Sequence, residues 1–246
     1  MVTGASSGIG RGVAVELARR GARLGLVARR TETLQEIVSE IESVGAQALA
    51  WPGDVQDANA VRAAADRFRE KFGVIDVLIA NAGIGSTNDA AELRAEEVAS
   101  VITVNVIGAA NSVAAVVPEM VAKGRGQLVV ISSLAAYRGL PKSAAYCASK
   151  AAVISLAQVL AVELAQDGIT VNAICPSTVP SGTNRGLAQK LGIPWESLVD
   201  GWLETQAIKR LATPEDISRA VLFLASDASA LITGVALPVD AGTAVL

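Results

Sequence analysis

Apolar and polar positions along this chain change period repeatedly, and each change marks an element. Ile9, Val13, Ala14 and Leu17 recur at helical spacing and stop at Gly21. Arg23 to Ala28 (RLGLVA) has no helical period and reads as a short buried strand. Leu34, Ile37, Val38, Ile41 and Val44 return to helical spacing, with Thr33 and Glu36 at capping-box separation and Gly45 behind them. Strands are predicted at Ala46 to Trp51, Ile75 to Ala80, Gln127 to Ile131 and Thr170 to Cys175. Between the later strands lie a helix around Val98 to Val116 and a long apolar helix from Tyr146 to about Gln166. Strand and helix alternate throughout, which predicts an α/β fold: a doubly wound parallel sheet with helices on both faces, in a single domain spanning residues 1–246.

The glycines bring in the first chemistry. Thr3-Gly4-Ala5-Ser6-Ser7-Gly8-Ile9-Gly10 leads straight into the first helix. Glycines between a strand and a helix let the backbone approach a diphosphate, while the helix N-terminus offers unpaired N–H groups. A Gly-rich turn of this kind is also found as a turn and nothing more. Only Met1 and Val2 precede Thr3, so the expectation is that the natural start lies upstream or that a truncated central strand is tolerated. Ala28 stands where an acid that binds a ribose 2′-hydroxyl is expected, and Arg29 and Arg30 follow. Two guanidiniums attract a 2′-phosphate that an acid would repel, although arginines ahead of a helix also serve as solvated surface.

Composition removes several function classes. With 246 residues, 51% of them hydrophobic, and 22 glycines, the chain suits one compact domain. Its 21 basic and 24 acidic residues give −3 without a basic block, which disfavours a nucleic-acid partner. Cys147 and Cys175 have neither metal-ligand nor redox spacing, so no metal is expected and both read as packing residues in a reducing compartment. The apolar stretch 151 to 165 carries Gln158 and Glu163, and no charged leader opens the chain. The expectation is a cytoplasmic protein with no membrane partner.

The chain has no histidine, so the commonest general acid and base is missing. Tyr146 and Lys150 stand four apart, on one face of the predicted helix. A nearby positive charge stabilises a phenolate and lowers a phenol pKa from about 10, which makes a Tyr/Lys pair a candidate acid and base. Alone, that spacing is also ordinary helix decoration.

Taken together, Thr3-Gly4-x-x-x-Gly8-Ile9-Gly10, Asp54-Val55, Asn81-Ala82-Gly83, Asn105, Ser132-Ser133, Tyr146-x-x-x-Lys150 and the stretch Ile232-Thr233-Gly234 to Val239-Asp240 resemble the short-chain dehydrogenase/reductase family over the whole chain. The resemblance implies a Rossmann fold and a catalytic set of Asn105, Ser133, Tyr146 and Lys150. Tyr146 would donate a proton to the substrate carbonyl, and Lys150 would lower its pKa and bind the nicotinamide ribose. Ser133, thirteen residues before Tyr146 as in the family pattern, would hold the substrate oxygen, and Asn105 a water leading to Lys150. Cofactor contacts are implied at Gly4, Ser6, Ser7, Gly8, Ile9, Gly10, Arg29, Arg30, Asp54, Val55, Asn81, Ala82, Gly83, Pro176, Val179 and Ser181, besides Tyr146 and Lys150.

The expected activity is hydride transfer between NADP(H), with NAD(H) as the alternative cofactor, and a small carbonyl or secondary alcohol. A 3-oxoacyl thioester (acyl-carrier-protein) reductase and a non-catalytic nucleotide-binding redox sensor stay open beside it. The apolar faces of the long helix, together with the family pattern, imply a homotetramer or homodimer. Two departures from the family stand out: Pro176-Ser177 replaces Pro-Gly, with backbone strain expected if Ser177 needs φ > 0, and Asp240-Ala241-Gly242 replaces Asp-Gly-Gly, which reads as minor. Residues 182–213 are expected to form a substrate lid, where Leu187, Leu191, Ile193, Trp195, Leu198, Val199 and Trp202 serve either an apolar pocket or the packing of the lid itself. Tyr137 and Arg138 are further candidates to reach substrate.

Overall fold

The structure is a computed structural model that describes residues 1–180, 186, 188, 189 and 192–245. Among the described residues the elements run β1 (Val2–Thr3), α1 (Gly8–Arg19), β2 (Arg23–Ala28), α2 (Thr31–Ser43), β3 (Gln47–Pro52), α3 (Ala58–Phe72), β4 (Val77–Ala80) and α4 (Ala95–Ile102). They continue with α5 (Gly108–Lys123), β5 (Gly126–Ile131), α6 (Ala144–Leu164), β6 (Ile169–Pro176), α7 (Trp195–Glu204), α8 (Pro214–Leu224) and β7 (Ala236–Val239). All seven strands are parallel, in the order β3-β2-β1-β4-β5-β6-β7. The doubly wound sheet expected from the alternation of elements is therefore present.

Because strand side chains alternate between faces, each strand feeds two cores. Leu128 and Val130 of β5 join the core under α3, α5 and α6, with Phe68, Val116 and Val153. Val129 and Ile131 join the opposite core under α1, α2 and α8, with Val13, Ile37 and Val221. The segments Ala95–Lys123 and Ala144–Asp167 are long and apolar enough to cross a membrane, but Val113, Val116, Val153 and Ala157 show why: these are helices packed on the sheet.

Several boundaries and caps differ from the sequence expectation. α2 starts at Thr31, not at Thr33, and Arg30 occupies its N-cap without a side-chain bond, so Thr33 and Glu36 form no capping box. Arg30 instead turns its guanidinium back onto Ser6. A complete capping box occurs at Thr213 and Asp216, where α8 begins. β1 has only two residues yet sits between β2 and β4, pairing Val2 with Leu26 and with Ile79. Met1 extends that ladder: its amine donates to Val77 O at 2.7 Å, and its carbonyl accepts from Ile79 N at 2.8 Å.

The strain expected at Ser177 is absent. Its N–H donates to Val239 O at 3.1 Å, and the only non-glycine residues with positive φ among the described ones are Lys142, at 64°, and Ala241, at 57°. The costly departure is thus Ala241, which the sequence reading passed over as minor. Its carbonyl accepts from Ala207 N at 2.9 Å and Ile208 N at 3.0 Å, so the turn is held from outside and cannot relax by rotating. Ala241→Gly is expected to stabilise the protein by about 1 kcal/mol, a rise of a few degrees in melting temperature. An unchanged or lower melting temperature would show that the turn carries no strain.

Candidate functional site

Strand order reverses between β1 and β4, and the loops leaving their carboxyl ends form a crevice where ligands of open α/β sheets gather. The two loops are tied together. Asn81 Nδ2 donates to Thr3 O at 3.0 Å and Gly4 O at 3.2 Å, while Asn81 N and Ala82 N both donate to Thr3 Oγ1. Gly4 has φ +64°, and a Cβ on it would come 2.8 Å from Ala82 Cα; one on Gly10 would come 2.4 Å from Gly4 O. Only glycine permits both close approaches.

Ser7 caps α1 without a side-chain bond, and a Cβ on Gly8 would meet nothing within 4 Å. Exposed Ser7, with Gly8 and Ile9 behind it, therefore turns the positive end of α1 toward open space, as a diphosphate requires. A cavity of about 800 Å³ adjoins this loop, lined by Ser7, Gly8, Arg11 and Arg30 but also by Glu16, Glu40 and Glu215, and neither Tyr146 nor Lys150 lines it. Arg30 Nη2 donates to Ser6 Oγ at 3.2 Å and Ser6 O at 3.3 Å, and Arg29 is exposed beside it. The chain's own loop thus fits a dinucleotide.

The β3 loop approaches from the far side. Asp54 accepts from Gln56 N at 3.0 Å and Gln56 Nε2 at 3.2 Å, which fixes the turn. Val55 is buried against Gly108, where a Cβ would come 2.5 Å from Val55 Cγ2, and Asn111 Nδ2 holds Val55 O at 2.9 Å.

Asn105 sits in a five-residue π-turn, Thr103–Ile107, inserted between α4 and α5. Its side chain is almost fully buried: Oδ1 accepts from Ile84 N at 2.8 Å and keeps a second lone pair, and Nδ2 donates to Ile84 O and to Ser149 Oγ, both at 2.9 Å. Ser149 Oγ in turn donates to Tyr146 O at 2.7 Å. Asn105 and Lys150 do not touch directly. The spot a Cβ would fill on Gly83 lies 3.1 Å from Asn105 Oδ1 and 3.5 Å from Lys150 Nζ, so the two polar groups flank one small volume.

Lys150 is buried, and its Nζ donates to Ile131 O at 2.8 Å. Burial pulls its pKa down to about 8, opposed in part by Cys175. Nζ stands 5.7 Å from the Tyr146 ring centroid. For the phenol itself the sign is the reverse of the sequence expectation. Burial raises the Tyr146 pKa, the Ser133 hydroxyl lowers it through a hydrogen bond, and the Cys147 thiol raises it again. The lysine at this distance does not outweigh desolvation.

Ser132 and Ser133 are separated by their contacts. Ser132 Oγ is buried and donates to Lys150 O at 2.7 Å, a structural tie between β5 and α6. Ser133 Oγ accepts from Ala135 N at 3.1 Å and faces the Tyr146 phenol. Pro176 ends β6, and Val179 is buried in the core under α1 and α8. Ser181, Leu187 and Leu191 lie outside the described residues.

Tyr137 and Arg138 are committed elsewhere: the Tyr137 hydroxyl donates to Ala236 O at 2.9 Å, and the Arg138 guanidinium reaches Thr243 O at 3.4 Å. Sequence reasoning passed over Ser149, named Thr3 only as part of the glycine motif and read Cys175 as packing. A serine inside an apolar helix was the one available signal, since such a hydroxyl bonds the backbone of the preceding turn.

Residues 4–244 match the family model described as enoyl-(acyl carrier protein) reductase. The oxidoreductase UcpA of Salmonella typhimurium is 36% identical over 245 residues, covering 99% of this chain and 93% of that protein. The chain belongs to the short-chain dehydrogenase/reductase family. The 3-oxoacyl-[acyl-carrier-protein] reductase FabG of Staphylococcus epidermidis is 35% identical over 243 residues, 98% of this chain and 97% of that one. A crystal structure of carveol dehydrogenase from Mycobacterium avium in complex with NAD superimposes with a TM-score of 0.94 at 31% identity, over 100% of this chain and 96% of that one. As a short-chain dehydrogenase/reductase, the protein is an NAD(P)-dependent oxidoreductase acting on CH–OH or carbonyl groups of a small molecule. The non-catalytic sensor is thereby set aside.

Proposed function

We propose that this oxidoreductase prefers NADP(H) and interconverts a carbonyl and a secondary alcohol, with Tyr146 as general acid and base. The observation that carries the reading is that Ser133, just past the carboxyl end of β5, faces the Tyr146 phenol, while Lys150 Nζ lies 5.7 Å from the Tyr146 ring and bonds Ile131 O. The nicotinamide, when bound, supplies or accepts the hydride. Ser133 holds the substrate oxygen and stabilises the charge that grows there, and Tyr146 gives that oxygen a proton or takes one from it. Lys150 favours the phenolate when protonated and replenishes its proton. Asn105 faces the same small volume beside Gly83 as Lys150, which suits a bridging water. Gly4, Ser6 to Gly10, Asn81 to Gly83, Asp54, Val55, Pro176, Val179 and Ser181 are read as the cofactor's surroundings.

The NADP preference rests on Arg29 and Arg30 at the end of β2, with Arg30 already turned onto Ser6. NADPH is expected to bind more tightly than NADH in a fluorescence titration, and Arg30→Ala to weaken NADPH about tenfold while leaving NADH nearly unchanged. Equal affinities in the native protein would sink the preference, and tighter NADH binding would favour NAD, which the carveol dehydrogenase structure holds.

Likeness to FabG supports a second reading, 3-oxoacyl thioester reduction. A side-by-side assay of 3-oxoacyl thioesters and simple ketones with NADPH separates the two. Residues 182–213 are read as a substrate lid, in which Trp195 and Trp202 of α7 meet edge to face at 5.7 Å and no residue of that helix is buried. Exposed Val159 and Val162 on α6 and Ile107 beside α5 are read as part of a homotetramer or homodimer interface, and the setting as cytoplasmic.

A further inference from the structure

We propose that Tyr137 and Cys175 are positioning residues that clamp the turn carrying Ser133 and thereby set its hydroxyl against the Tyr146 phenol. The proposal rests on the Ser133–Tyr146 pairing of the catalytic reading above.

Ser133 opens a 3₁₀ turn only three residues long, Leu134–Ala136, whose C-cap is Tyr137. Its local backbone support is slight: Ala136 N bonds Ser133 O at 3.0 Å and Tyr137 N bonds Leu134 O at 2.9 Å. Residues 137–142 beyond it are exposed, and Lys142 among them has φ 64°. Ala135 N holds the Ser133 hydroxyl at 3.1 Å, but it belongs to the same short turn, so where the turn itself sits must be set from outside.

The Tyr137 side chain supplies what the backbone lacks. Its hydroxyl crosses to β7 and donates to Ala236 O at 2.9 Å, a tie between residues 99 apart in sequence. Cys175 completes the clamp from beneath. Its fully buried Sγ donates to the Tyr137 hydroxyl at 3.8 Å and lies beside Ser132 and the Ser133 backbone. One thiol therefore touches both the clamp and the residue being clamped. Burial and Cys175 push the Tyr137 phenol up to about 12, so it remains a donor through neutral and mildly alkaline pH. A tyrosine meant for substrate would not spend its hydroxyl on the last strand of the sheet.

The chain has two tyrosines, so labelling with ¹³Cζ-tyrosine gives two resonances that Tyr146→Phe assigns. Ser133→Ala is expected to shift the Tyr146 resonance at neutral pH. Tyr137→Phe, and Cys175→Ala with Tyr137 intact, are expected to shift it in the same direction by a smaller amount. Cys175→Ser, which keeps a donor, is expected to return it toward the native position. A brace that affects stability alone would lower the melting temperature and leave this resonance in place. If Tyr137→Phe does not fold, the two Cys175 variants carry the test. A Tyr146 resonance that moves in Ser133→Ala but in neither the Tyr137 nor the Cys175 variants overturns the clamp. One that does not move even in Ser133→Ala overturns the Ser133–Tyr146 pairing, and the clamp with it.

Discussion

Tyr146→Phe lowers turnover by about 10²–10⁴-fold, the range for losing a positioned general acid, while nucleotide affinity and melting temperature stay close to native. Phenylalanine keeps the ring on α6 and deletes only the hydroxyl. The chain has no histidine to take over the proton. The loss should therefore appear in kcat and kcat/KM alike, as expected for an interaction made in the transition state. The direction of reaction adds a signature. The Tyr146 phenol is raised by burial, so carbonyl reduction, which needs the acid, persists into alkaline pH, whereas alcohol oxidation, which needs the phenolate, strengthens as pH rises. Stopped-flow reduction and oxidation rates across pH would check both. A Tyr146→Phe enzyme with native turnover would move the proton-transfer role to another group.

Lys150→Met, measured without added nucleotide, makes the protein inactive and more stable at pH 7. Burial lowers the Lys150 pKa from 10.5 to about 8. Below about pH 8 the lysine is charged in both the folded and the unfolded chain, and the whole burial penalty, about 3 kcal/mol, is present. Between about 8 and 10.5 the folded protein releases its proton first, the unfolded chain holds more protons, and stability rises with pH. Above that window the contribution is gone. Removing the charge relieves the penalty but forfeits the bond to Ile131 O, worth about 1 kcal/mol, so the net gain at pH 7 is about 1–2 kcal/mol. Urea unfolding of native and variant protein at pH 7 and pH 10 measures it. The gain must shrink toward pH 10; a gain of equal size at both values would mean that Lys150 is not a buried charge. The buried lysine is thus a cost that the fold bears for the site.

The strands and helices were legible because burial on both faces leaves a strand uniformly apolar, as in RLGLVA, while a helix on the sheet keeps a stripe, as from Leu34 to Ile41. Boundaries were less so. Thr33 and Glu36 have the spacing of a capping box, yet α2 starts at Thr31, where the chain leaves β2 and Arg30 turns back to Ser6. At the two departures from the family, sequence pointed to the wrong residue. Whether an L-residue is strained depends on the φ its neighbours impose, and the bonds from Ala207 and Ile208 impose it on Ala241, not on Ser177.

The order of elements, the glycine loop and the spacing of Tyr146 from Lys150 were determined by the sequence alone, because periodicity and steric permission are local properties. Tertiary structure decided the electrostatics and the supports of the site. The Lys150 ammonium loses water to its surroundings, which lowers its own pKa, and burial of the phenol outweighs it. The π-turn that seats Asn105 on Ile84, and the reach of Tyr137 across 99 residues to Ala236, join parts of the chain remote in sequence. Desolvation and long-range hydrogen bonds come into being only when the sheet brings those parts together, so no local pattern could carry them.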